Sequence, residues 1–321
     1  MADARLAWVR ASLALVSLAA GCDRVGTSPG LTVFNAAALG PPLKSALAAF
    51  AASHPTLTYA QENAPSLEVV RKMTELGHTP DVLAVADEIL MSQFVVPAHA
   101  SWYVRFGTNA MVLAFSDRAA FASEISTENW WRILLRPGVQ VGRSDLRVDP
   151  SGYRADMVMQ LAETFYGEPG LTDRLRASIP ERNVRRAEAD LGALLLTGEL
   201  DYGWTYENLA VAHGLRYIRL PREIDLSAPE FADRYAAARI ELPNPDGSRL
   251  LLRGAPIIFA LTVPARAGRS ETALRFVEFL LSVEGRDELR RSGFTPLPEP
   301  EFLGTPPEGL ALSVRRASLV R

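Results

Sequence analysis

The chain has 321 residues, 48% of them hydrophobic and 22% charged, with a formal net charge of -3. That length and apolar content suffice for a sizeable core spread over about two domains, and the near-balance of charge excludes the global basic field that nucleic-acid binding requires. Cys22 is the single cysteine, which excludes an internal disulfide. Lys44 and Lys72 are the only lysines, so arginine carries nearly all the positive charge; this reads as a compositional bias of the genome.

The first 22 residues differ from the rest. Arg5 and Arg10 precede an unbroken small and apolar run at 11–20, closed by Gly21 and Cys22. This is the layout of a secretory signal, too short to span a membrane. Leu18-Ala-Ala-Gly-Cys22 resembles a lipoprotein signal with Cys22 as the lipidated residue, although Ala19 stands where a larger aliphatic side chain is usual. Residues 23–30 then read as a short tether.

Leu31-Thr-Val-Phe34 reads as a buried strand, and 41–52 has helical periodicity with Leu43, Leu47 and Phe50 on one face. Residues 57–61 form a second strand, 67–76 a helix with Ser66 as its N-cap, and 81–86 a third strand. Strands alternating with helices imply parallel βαβ units. A strongly apolar segment follows at 106–116, then a short helix at 129–135, a strand at 140–143 and a helix at 153–166. Further along come a helix at 190–196, a strand at 200–206, a short helix from 209 to 212 and a strand at 217–220. The apolar run 257–263 mirrors the one at 110–115, and helices at 271–281 and 283–292 complete the pattern. Two α/β units joined by two apolar runs imply a chain that enters a second lobe and returns, with a ligand cleft between the lobes. The expected division is 31–112 with 257–305 as one lobe, 113–256 as the other, and 306–321 as a solvated tail.

Several stretches, in order, resemble the archaeal-type molybdate/tungstate-binding proteins of ABC importers. They are Leu31-Thr-Val-Phe-Asn35, Val70-Arg-Lys-Met-Thr-Glu-Leu-Gly77, Ala100-Ser-Trp-Tyr-Val-Arg-Phe106, Gly142-Arg-Ser-Asp145, Asp149-Pro-Ser-Gly-Tyr-Arg154, Asp201-Tyr202 with Tyr206-Glu207, Ala212-His-Gly-Leu-Arg-Tyr-Ile218 and Phe276-Val-Glu-Phe-Leu-Leu281. The resemblance implies an α/β, two-lobed periplasmic binding protein fold of type II. It also implies an oxyanion held between the lobes by hydroxyls and helix-start N–H groups, with two carboxylates completing a six-coordinate metal centre. By their motifs those carboxylates are Asp149 and Glu207, the serine is Ser66, and Pro150 and Tyr206 lie at the same site. The family's Gly-Ser after Phe-Asn is replaced by Ala36-Ala37-Ala38, so Ala37 and Ala38 offer only backbone, and Pro65 replaces a glycine.

On spacing alone, Asp149 before Pro150 is an N-cap followed by a first helical position, and Glu207 is a first-turn acid complementing a helix dipole. A carboxylate beside an oxyanion repels it, unless it binds the metal directly, as hard high-valent metals allow. Arg143 and Arg154 are expected to pair with Asp145 and its neighbours. The four histidines lack metal-ligand spacing, and no nucleophile elbow, Walker loop or dinucleotide fingerprint is present, so no enzyme chemistry is nominated. The expected function is capture of molybdate or tungstate, with no cofactor beyond that ligand, by a monomer. It is lipid-anchored at Cys22 outside the cytoplasmic membrane and delivers to an ABC permease with a cytoplasmic ATPase. Sulfate or phosphate binding, or a sensing module without transport, is the alternative.

Overall fold

The computed structural model describes residues 30–243 and 247–310. The expected signal segment with Cys22, the tether up to residue 29 and the tail beyond 310 lie outside them. Among the described residues no helix is long and apolar enough to cross a membrane.

The strands are β1 (Leu31–Ala36), β2 (Tyr59–Ala64), β3 (Val82–Val85), β4 (Trp102–Thr108), β5 (Met111–Phe115), β6 (Val141–Ser144), β7 (Val184–Arg185), β8 (Tyr202–Tyr206), β9 (Arg216–Arg219), β10 (Arg239–Pro243), β11 (Arg249–Arg253), β12 (Ile258–Thr262) and β13 (Thr295–Gly304). They form a six-stranded sheet in the order β13-β4-β12-β3-β1-β2 and a five-stranded sheet in the order β7-β6-β8-β5-β9. β10 and β11 make a separate two-stranded ribbon. β1 runs parallel to β2 and β3, and β6 parallel to β7 and β8. β12 lies antiparallel between β3 and β4, and β5 antiparallel between β8 and β9. Every residue of β3, β5 and β8 is buried. That is why these segments read as continuous apolar runs: sheets covered on both faces have no solvent side to alternate with.

The runs at 110–115 and 257–263 become β5 and β12, the first strand laid into each sheet after the chain crosses between them. The two crossings lie side by side. Thr108 Oγ1 donates to the Ile257 carbonyl at 2.9 Å. The Ile257 N–H bonds to Leu226 O at 2.8 Å, and the Met111 N–H to Asp225 O at 2.9 Å. The expected division after residue 112 falls within β5, which begins at Met111.

Besides the short helix Leu171–Ala177 and the two-residue β7, which the expected pattern lacks, three features depart from it. The apolar segment 106–116 is two strands, the end of β4 and all of β5, separated by Asn109 and Ala110. The ribbon β10–β11 and the last strand, β13, were not anticipated. β13 carries Pro296, Pro298 and Pro300, which argue against a strand; it is accommodated because it is an edge strand and its pairing with β4 is interrupted between Pro296 and Glu301.

The returning strand ties the core together. Phe259, fully buried on β12, stacks on Phe294 at 5.3 Å and meets Tyr206 of the other sheet edge-on at 5.8 Å. Gly107 makes room for this cluster: a Cβ there would lie 2.0 Å from the Phe294 ring. Phe259→Ala is expected to cost about 3–5 kcal/mol of stability, measured as a lowered midpoint with unchanged slope in denaturant unfolding.

Candidate functional site

The segment Asp149–Arg154 follows β6 and opens the helix Pro150–Tyr166, and each of its residues has a separate task. Asp149, in extended backbone conformation, caps the helix: its carboxylate accepts from the Ser151 N–H at 3.0 Å. Pro150 takes the first helical position, where its missing N–H costs nothing. Gly152 is required by close approach, because a Cβ there would sit 2.5 Å from the Ser144 carbonyl oxygen at the end of β6. The hydroxyl of Tyr153 donates to Asp87, which follows β3 in the other sheet. Arg154 donates to the Ala86 carbonyl at 2.6 Å and to the Tyr206 hydroxyl at 2.7 Å, and pairs with Asp87 at 3.1 Å.

Arg154 was expected to serve Asp145 and its neighbours. It reaches across the seam instead, while Asp145 is taken by Arg147 and Arg143 donates to the Ser144 carbonyl. Burial alone would lower the pKa of Arg154, but the Asp87 carboxylate beside it keeps it above the usual arginine range.

Asp149 has a second partner. Its other oxygen accepts from the Glu188 N–H at 2.8 Å. Glu188 is itself buried, and its Oε1 accepts from the Thr205 hydroxyl and from the Tyr206 N–H. Glu188 begins a 3-10 turn, Glu188–Asp190, that packs against the turn Ala37–Leu39 of the other sheet. Nothing in the sequence nominated Glu188; an acid in the turn before an apolar helix reads as an ordinary first-turn residue.

From the first sheet, Ala37 and Ala38 sit buried in that 3-10 turn after β1. Their N–H groups lie in a first turn, where no intrahelical carbonyl reaches them. The Ala38 carbonyl is used across the seam, accepting from Asn208 Nδ2 at 2.8 Å. Ser66 is buried at the first position of the helix Ser66–Thr74, whose N-cap is Pro65. Ser66 is therefore not the cap expected of it, because its hydroxyl instead accepts from the Ala86 N–H at 3.1 Å.

A continuous chain of contacts thus runs from Ser66 through Ala86, Arg154, Tyr206 and Glu188 to Asp149. The structure brings Ser66, Ala37, Ala38, Asp149, Pro150 and Tyr206 to one seam at the ends of β1, β3, β6 and β8. Such strand ends are where open α/β sheets present their ligand sites. Glu207 is directed elsewhere. It starts the next short helix, and its carboxylate is taken by Arg219 and by the Tyr217 hydroxyl, the latter at 2.9 Å. The tyrosine hydroxyls of Tyr153 and Tyr206 are buried, which raises both pKa values well above the ordinary range, so both stay neutral hydrogen-bonding groups.

Two openings flank the seam. One of about 410 Å³ is bordered by Glu62, Glu68, Arg71 and Lys72 from the first sheet's side and by Val148 and Arg186 from the second's. Arg186 pairs with Glu68 across it at 2.7 Å. The other, of about 300 Å³, is lined by Asp87, Glu88, Tyr153, Arg154, Leu252 and Arg253. Among the described residues no group of three or more His, Cys, Asp or Glu side chains is arranged to hold a metal ion.

Two buried carboxyls at neighbouring positions set the local electrostatics. Burial raises the pKa of Asp149 above the usual carboxylate range. Burial and then the nearby Asp149 charge raise that of Glu188 further. A carboxyl that holds its proton more tightly folded than unfolded favours the folded state at low pH and loses that contribution as pH rises. The ligand-free protein is therefore expected to melt at lower temperature as pH rises from about 5 to 8. Glu188→Gln should flatten that slope in a series of thermal melts; an equally steep slope would refute the coupling.

A family model described as "Bacterial extracellular solute-binding protein" matches residues 31–295. A molybdate/tungstate-binding protein of Pyrococcus abyssi, WtpA, is 36% identical over 336 residues, covering 95% of this chain and 97% of the relative. An uncharacterized solute-binding protein of Petrotoga mobilis is 36% identical over 272 residues, covering 84% and 85%. Among solved structures, the periplasmic molybdate-binding protein of Azotobacter vinelandii superposes with a TM-score of 0.59 at 14% identity, over 83% of this chain and 98% of that one. The sulfate-binding protein SubI of Mycobacterium tuberculosis gives 0.56 at 16%, over 90% and 91%. At such identities the likeness is one of fold: the two sheets are the two lobes of a type II periplasmic binding protein, as the alternation of strands and helices implied.

Proposed function

The chain belongs to the bacterial extracellular solute-binding protein family, and on that premise we propose that it captures molybdate or tungstate at the seam between its lobes and delivers it to the permease of an ABC importer. The observation that carries this reading is that first-turn backbone of the second lobe bonds Asp149 from two sides, while a first turn of the other lobe packs on one of those turns. The start of the helix Pro150–Tyr166 and the turn Glu188–Asp190 meet at Asp149, the turn Ala37–Leu39 packs on the latter, and the start of the helix Ser66–Thr74 is joined to them by the contact chain. Helix starts present N–H donors and the positive end of the dipole to an anion.

The full-length similarity to molybdate/tungstate-binding relatives at 36% and 33% identity supports the choice of anion. So does the buried carboxylate at the centre. It opposes a closed-shell dianion such as sulfate, whereas a metal able to accept a further oxygen ligand gains from it. Both lobes contribute donors, so the anion stabilises the closed arrangement over an open one, and that arrangement is the form a permease would recognise. Membership of an extracellular family implies export. Lipidation at Cys22 would hold the protein at the outer face of the membrane, and the reading requires neither a cofactor nor a covalent step.

Calorimetric titration with tungstate, molybdate and sulfate tests this directly. Tungstate and molybdate are expected to bind tightly and sulfate weakly; sulfate binding as tight as tungstate would overturn the reading. Asp149→Asn keeps a capping oxygen for the Ser151 N–H but sets its amide NH2 against the Glu188 N–H; it is expected to lower tungstate affinity roughly 10- to 100-fold and to lower the melting temperature as well.

A further inference from the structure

We infer that the opening bordered by Leu67, Glu68, Val148 and Arg186 is the route by which the anion enters, and that Arg186 is its capture residue. Arg186 draws the anion onto the second lobe while the lobes are apart, and pairs with Glu68 behind it once they meet. The inference rests on the oxyanion reading above and adds to it the order of events at the mouth.

Of the two openings that flank the seam, the one of about 410 Å³ adjoins the candidate site directly. Val148 precedes Asp149 in the chain, Leu67 follows Ser66, and Arg186 lies just before the turn Glu188–Asp190. The other opening has Asp87, Tyr153 and Arg154 for a floor. Those three side chains bond one another, and Arg154 is further bonded to the Ala86 carbonyl and the Tyr206 hydroxyl. An anion passing that way would have to break a buried charged network, which is costly.

Three ion pairs rim the larger opening, and they are not alike. Lys72 pairs with Glu62, and Arg71 with Glu75 at 3.5 Å. Both of these lie within the first lobe, so movement of the lobes leaves them intact. The third crosses from lobe to lobe. Arg186 Nε and Nη2 reach Glu68 Oε2 at 2.9 and 2.7 Å. The Arg186 side chain is 67% exposed within this pair. An ion pair so solvated contributes little to stability, so holding the fold does not account for it.

Separation of the lobes changes the charge at the mouth through this pair alone among the three. Arg186 then stands without Glu68 on the lobe that carries Asp149. Its positive charge at the rim attracts a dianion and offsets the repulsion from that carboxylate. Glu68 stays on the first lobe, in the first turn of the helix Ser66–Thr74. Its charge there disfavours an anion arriving at that helix start first. The anion is thereby directed to the second lobe before the first closes on it. On closure the Arg186 guanidinium passes to Glu68. The rim charge is neutralised and the pair lies across the way out. A rim charge acts chiefly on the association rate and its salt dependence, whereas a contact made only in the closed form acts on release.

The test measures release of radiolabelled tungstate after a chase with the unlabelled anion, and affinity by calorimetry, at low and high ionic strength. Their ratio gives the association rate. The proteins are the parent, Arg186→Gln, Arg186→Lys, Glu68→Gln and Lys72→Gln, all expected to melt as the parent does. Arg186→Gln is expected to associate about two- to tenfold more slowly at low salt, with a flatter dependence on ionic strength. It is also expected to release the anion about two- to fivefold faster. Arg186→Lys keeps the charge and restores the association rate. Glu68→Gln releases about two- to fivefold faster but associates no more slowly than the parent. Lys72→Gln leaves release unchanged, because its pair does not cross the mouth. Parental association in Arg186→Gln, or parental release in either Arg186→Gln or Glu68→Gln, overturns the inference while leaving the oxyanion reading intact. A parent protein that binds no tungstate removes that reading instead.

Discussion

The guanidinium of Arg154 is the junction on which the two lobes depend. From one helix it bonds a carbonyl at the end of β3, a carboxylate just beyond it, and the hydroxyl of a tyrosine at the end of β8. Arginine suits this position because its planar fork makes several directed bonds at once and it keeps its charge when buried. A buried pair of this kind is strongly destabilising to break, since the surviving charge is left without compensation. The ends of β3, β6 and β8, with the turns above them, are therefore held in one arrangement. The position of every group at the seam follows from it.

The run Ala36-Ala37-Ala38 carries no side-chain hydroxyl to this seam. The turn contributes its backbone: first-turn N–H groups on one side and the Ala38 carbonyl bonded to Asn208 on the other. Small side chains let the turn press against Glu188–Asp190. The second lobe places the buried Ser151 and Glu188 side chains beside Asp149. The polar work of the site is thereby weighted toward one lobe, while the other supplies backbone and closure.

Much of the fold was legible in the chain. Long apolar runs with helices between them gave β1, β3, β5, β8 and β12 and the helices Gly40–Ala52 and Ser270–Leu281 to within a few residues, because burial on both faces leaves a plain hydrophobic signature. β13 was hidden by its prolines, which an interior strand does not tolerate and an edge strand does. Whether a strand is at an edge is decided by the sheet and not by the strand. Local structure around the candidate site was legible where a motif packs several tasks into consecutive residues, as Asp149 to Arg154 does in capping its helix. Side-chain pairing was not legible where the partner is distant in sequence. Glu207 follows Tyr206 directly yet turns to Arg219, and Glu188, 17 positions before Thr205, turns to it.

The sequence by itself determined the class of protein, the α/β alternation, the passage of the chain into a second lobe and back, and the capped helix that begins at Asp149. Each of these is written in local periodicity, turn chemistry or an ordered set of motifs. Only the tertiary structure decided that Ser66 bonds Ala86 and does not cap its helix, that Arg154 spans the lobes, and that the Glu188 N–H bonds Asp149 while Glu207 pairs with Arg219. The physical reason is common to all three. Hydrogen bonding and charge pairing inside a core are settled by which polar groups are brought within about 3 Å of one another, and in a two-lobed chain that crosses twice those groups come from segments far apart in sequence.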